Sequence, residues 1–165
     1  MLFAAIILES CLTITISAQN SALGKGTAVY VVPITIAKTN DLNFGTIQVG
    51  STSGNVVLTP DGIRSSTGGV TLLSPTGNVQ VASFTVSGTP SSTYTISLPS
   101  TNYKISYNST SMNVNNFTSS PSGSGVLSGN GSQTINVGAR LNVKASQSPG
   151  TYTNAAGFDV TVNYN

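Results

Sequence analysis

From Ala28 onward, apolar and polar residues alternate in short runs, and most runs end in Gly, Ser, Pro or Asn. Phe84 and Val86 fall on one side of an extended chain, with Ser83, Thr85 and Ser87 on the other. Tyr94, Ile96 and Leu98 oppose Thr93, Thr95 and Ser97, and Phe158, Val160, Val162 and Tyr164 oppose Asp159, Thr161 and Asn163. Successive side chains of a strand point to opposite faces, so each run has one buried and one wet face. No segment carries apolar residues at helical i, i+3, i+4, i+7 spacing. The pattern predicts strands near 28–37, 42–47, 55–59, 69–73, 79–87, 93–98, 102–107, 112–117, 132–137, 139–145 and 157–164. Turns fall at Pro60-Asp61-Gly62, Gly68-Gly69 and Pro75-Thr76-Gly77-Asn78, where Pro pre-sets φ or Gly supplies φ > 0. The polar stretch 118–131 reads as a loop around one small strand at 125–127. Many short strands with frequent turns predict an all-β, antiparallel β-sandwich.

The N-terminus departs from this manner. Residues 1–18 are mostly apolar, and Ile16-Ser17-Ala18 resembles a signal-peptidase site with Gln19 as the new terminus. No Lys or Arg precedes Lys25, and Glu9 interrupts the run; the expected reason for the missing basic region is a start codon placed too far downstream. The other readings are a buried N-terminal strand, a lipoprotein signal at Leu8-Glu9-Ser10-Cys11, and a spanning helix, for which the run falls short of the ~20 residues needed. The expected division is a signal peptide over 1–18, an extension and candidate donor strand over 19–33, and a sandwich over 34–165. Its expected location is the periplasm, the cell surface or the medium.

Charge and chemistry narrow the function. Removing 1–18 leaves six Lys and Arg against Asp41, Asp61 and Asp159, a formal charge of +3 without any basic run. Nucleic acid is therefore not an expected partner. Cys11 is the only cysteine, so the remaining chain has no disulfide and no thiolate metal site. It has no His and no Glu, which removes the usual general bases and most metal ligands. Asp41 and Asp61 fall in turns and read as turn chemistry. Lys38, Lys104 and Lys144 read as strand-surface residues. Gly24-Lys25-Gly26-Thr27 lacks the upstream glycine and following helix of a phosphate loop. No catalytic residue, cofactor or metal is expected, nor is a membrane span after processing. Tyr30, Tyr94, Tyr103, Tyr107, Tyr152 and Tyr164 could form a sugar-stacking surface, although such tyrosines more often cap a sheet face.

The two ends carry the remaining signal. Ala28, Tyr30, Val32, Ile34 and Ile36 line one face of the extension if it is extended, and the sequence stops at Asn165, directly after the alternating strand with core face Phe158, Val160, Val162 and Tyr164. Unpaired strand edges are adhesive, and a strand from another chain satisfies their backbone groups.

The succession ITIAKTNDLNFGTIQVGS, VVLTPDGIRSSTGGVTLL, ASFTVSGTPSSTYTISLP, MNVNNFTSSPSG, SQTINVGARLNV and PGTYTNAAGFDVTVNYN resembles bacterial domain-of-unknown-function family 4402. The resemblance implies an exported immunoglobulin-like β-sandwich and leaves its activity open. The LNFGT strand and the final GTYT…VTVNY strand also resemble spore-coat-protein-U-like pilins of archaic chaperone–usher fimbriae. In those pilins an N-terminal extension completes the neighbouring subunit, which implies residues 22–34 as donor strand and Ala28, Tyr30, Val32 and Ile34 as the exchange face. The chain lacks the cysteine pair of those pilins, and Pro33 interrupts the donor segment. The expected function is a structural or adhesive surface subunit, fimbrial in type, whose partners are further copies of itself or related subunits. The other expectation is a self-complete module binding glycan through loops and tyrosines.

Overall fold

The computed structural model describes residues 20–74 and 77–165. The expected signal peptide, 1–18, and Pro75-Thr76 of one predicted turn lie outside the described residues. The chain divides into two units, one ending at Tyr30 and one spanning Val31–Asn165. In the first, residues 20–30 are exposed and form no strand.

The second unit is all β. Its strands are β1 (Thr35–Asn40), β2 (Asn43–Phe44), β3 (Ile47–Leu58), β4 (Arg64–Leu72), β5 (Val79–Gln80) and β6 (Ala82–Ser87). They continue with β7 (Thr93–Ser97), β8 (Tyr103–Tyr107), β9 (Thr110–Ser120), β10 (Ser124–Val126), β11 (Ser132–Val143) and β12 (Thr161–Tyr164). All pairings are antiparallel. β11 organises the large sheet. Its residues 132–137 pair with β6 and its residues 139–143 with β3, while β9 pairs with residues 136–142. Asn136 and Val137 pair with both β6 and β9, so β6 and β3 share one edge of β11 and β9 takes the other. β1 extends the sheet beyond β6, β4 beyond β3 and β8 beyond β9. A three-stranded sheet, β10-β7-β12, and the short pair β2-β5 complete the fold.

Two hydrophobic clusters follow. In one, Ala82, Phe84 and Val86 of β6 and Ile135 and Val137 of β11 pack with Tyr94 and Ile96 of β7 and with Leu127. This is a two-layer sandwich, with half-buried Ile34, Ile36, Val160, Val162 and Tyr164 packed against its core. In the other, Val56 and Leu58, Val70, Met112 and Val114, and Ala139, Leu141 and Val143 pack together under Phe44. β11 contributes to both clusters.

Several predicted boundaries move, each for a local reason. The run 28–37 yields a strand only from Thr35, because Pro33 has no N–H to donate to a ladder. The run 42–47 divides at Gly45, whose φ is 72° and whose N–H donates to Asn43 Oδ1 at 2.8 Å. Runs 132–137 and 139–145 merge into one strand through Gly138, where a Cβ would run into the Leu58 carbonyl oxygen. The run 157–164 is a strand only from Thr161. Phe158 instead turns into an aromatic cluster, its ring 4.8 Å from Phe117, 5.8 Å from Tyr103 and 6.2 Å from Phe84. The loop expected over 118–131 begins only after Ser120, and its small strand is β10.

Candidate functional site

Within the Val31–Asn165 unit, four hydrogen bonds join Val32, Thr89 and Tyr164. Val32 N donates to Thr89 Oγ1 at 2.9 Å, and Thr89 Oγ1 donates to Val32 O at 3.3 Å. Tyr164 Oη accepts from Thr89 N at 2.6 Å and donates to Val32 O at 2.7 Å. Tyr164 stands near the end of β12, so the last strand of the chain fixes the residue at which the N-terminal segment enters β1. Pro33 follows this clamp, and β1 begins two residues beyond it, at Thr35.

Of the expected exchange face, Ile34 is half-buried against the sandwich core, while Val32 is exposed. Ala28 and Tyr30 belong to the other unit and are exposed, Tyr30 at 84%. Val29 at 86% and Val31 at 51% are also open, so the exposure does not alternate as one strand face would. Val160, Val162 and Tyr164 pack on the sandwich core together with Phe158. Among the described residues, β1 pairs only with β6 and β12 only with β7. Each has one edge open, and these two strands approach each other.

The tyrosines do not form one surface. Tyr94 is fully buried and donates to Gln133 Oε1 at 2.7 Å. Tyr103 donates to Asn154 O at 3.1 Å, and Tyr107 and Tyr152 meet with ring centroids 5.8 Å apart. Tyr103 and Tyr152 line a cavity of about 720 Å³ whose floor includes Ile105, Met112, Val114 and Leu141. Burial raises the Tyr103 phenol above its ordinary value. The Asp41 carboxylate adds to the rise, and a backbone hydrogen bond at Gly157 opposes it.

The acids are dispersed. Asp41 pairs with Lys38 at 2.6 Å on the surface, Asp61 lies in the β3–β4 turn and Asp159 precedes β12. Among the described residues no cluster of His, Cys, Asp and Glu could hold a metal ion, and no helix is long and apolar enough to cross a membrane.

The profile of a domain of unknown function, DUF4402, matches residues 34–164. The chain belongs to that family. The matched span begins two residues beyond the Val32 clamp, so the family domain is the β-sandwich and the exposed segment lies ahead of it. No curated protein and no solved structure matches the chain.

Proposed function

We propose that the protein is an exported structural and adhesive surface subunit that assembles by β-strand exchange, in the manner of a fimbrial subunit. One observation carries the reading: an exposed apolar run, Val29–Val32, directly precedes in sequence a sandwich whose β1 and β12, among the described residues, each keep an open edge. The acceptor is the side of a second copy between those two edges. Added there, the run hides apolar side chains, and its backbone groups join a ladder instead of water. Each buried Val is worth about 1.5–3 kcal/mol and each added hydrogen bond about 0.5–1.5 kcal/mol, offset by about 1–2 kcal/mol per residue ordered. These terms nearly cancel, so the hydrogen bonds that already order Val32 tip the balance toward exchange.

The chain processed after Ala18 is expected to form ladders that resist SDS without heating. A chain lacking 19–33, and the double variant Val29→Asp, Val31→Asp, are expected to remain monomeric. If the processed chain elutes as a monomer indistinguishable from the double variant, strand exchange is wrong. That result would favour a self-complete module binding glycan, a reading supported by the cavity beside Tyr103 and Tyr152.

A further inference from the structure

The strands β4, β3, β11, β9 and β8 lie side by side, and their register sorts their residues into rows. Ser66, Val56, Leu141, Val114 and Tyr103 oppose one another across the five strands, and this row includes the buried core residues Val56, Leu141 and Val114. The row one residue along is Thr67, Asn55, Asn142, Asn113 and Lys104. Opposed residues share a face and neighbours in sequence alternate, so this second row points away from the core. Arg140 and Asn115, opposed two residues further on, share its outward face. A depression of about 510 Å³ opens there, lined by Asn55, Asn113 and Asn142 with Lys104 and Lys144.

The charge on this face is one-sided. Lys104, Arg140 and Lys144 are three of the chain's six cations, and among the described residues none forms an ion pair. Lys38 is neutralised by Asp41, and Arg64 is occupied by the carbonyls of Phe44, Thr46 and Leu73. No acid lines the depression. Arg140 Nε is buried without a hydrogen-bond partner, and the Asn113 side-chain amide makes no hydrogen bond within the described residues. The nearby amides of Asn142 and Asn115 are linked to each other at 3.0 Å, which holds the row in place.

We infer that this outer face binds an acidic polysaccharide, a glycan bearing a carboxylate on its sugar units. A primary amide donates and accepts, which suits neighbouring sugar hydroxyls. Ammonium and guanidinium groups suit the carboxylates. No aromatic side chain belongs to these outward rows, so a neutral sugar finds no stacking platform and charge provides the selection. The same absence disfavours single-stranded nucleic acid, which relies on base stacking. The inference does not depend on strand exchange, because one copy holds the whole face.

Calorimetric titration of the full chain with hexagalacturonate tests it, with maltohexaose and a short single-stranded DNA as comparators. Hexagalacturonate is expected to bind and to weaken with added salt, as exposed charge pairs do. Lys104→Ser with Lys144→Ser is expected to weaken it about tenfold or more, about 1.4 kcal/mol, with the urea midpoint unchanged. Lys38→Ser, off this face, should leave binding intact. No binding at about 1 mM, equal binding of maltohexaose, tighter binding of the DNA, or an undiminished affinity in the double variant would each overturn it.

Discussion

Tyr94 has no exposed surface, yet its hydroxyl is polar and its burial is tolerated because Gln133 Oε1 accepts its proton at 2.7 Å. Tyr94→Phe is expected to cost about 0.5–1.5 kcal/mol, since it removes this bond and leaves the half-buried Gln133 amide oxygen without its donor; urea denaturation at neutral pH measures it. Burial also raises the Tyr94 phenol above its ordinary value of 10.0. Below that value both folded and unfolded states keep the proton. Above it the unfolded state ionises first and binds fewer protons, so stability falls as pH rises. The urea midpoint is therefore expected to hold steady up to about pH 10 and to decline above it. The decline should be shallower in Tyr94→Phe, with the rest supplied by Tyr103, which shifts in the same direction. That Tyr94 faces inward was legible from its alternation with Thr93 and Thr95. Its partner was not, because Gln133 lies far along the chain in another sheet.

At the scale of elements, two residues decide pairings that periodicity leaves open. Arg64, at the start of β4, donates to Phe44 O at 2.7 Å, Thr46 O at 3.2 Å and Leu73 O at 3.3 Å. It ties β2 and the start of β3 to the end of β4. Arg64→Ala is expected to lose about 1.5–3 kcal/mol, and amide exchange should accelerate at 43–49 and 72–73 more than in β6 or β7. Gly138 lets β11 pass beneath the Leu58 carbonyl, so Gly138→Ala forces the backbone of β3 or β11 to shift. A loss of about 1–3 kcal/mol is expected, read as a lower thermal midpoint by circular dichroism. Alternation identified strands on both sides of Gly138. It could not join them, because a glycine in a strand pattern reads equally as a break, and only contact with β3 shows what it is for.

For the whole molecule, β11 couples the two hydrophobic clusters through Ile135 and Val137 on one side and Ala139, Leu141 and Val143 on the other. Ile135→Ala and Leu141→Ala are each expected to cost about 2–5 kcal/mol within one common transition. Tyrosine fluorescence and circular dichroism should give the same midpoint in both variants; separate transitions would show that the clusters unfold independently. The residue pattern by itself determined that the chain is all β, which positions face inward, and that it carries no His and only one Cys. Those properties are local: period-two alternation and composition are fixed before any strand finds a neighbour. Tertiary structure alone decided that β6 and β3 share an edge of β11, that Tyr164 clamps Val32, and that three asparagines and Lys104 from separate strands meet in one outward row beside Lys144. Each of these brings together residues remote in sequence, and the register that does so arises only when the sheet closes on its core.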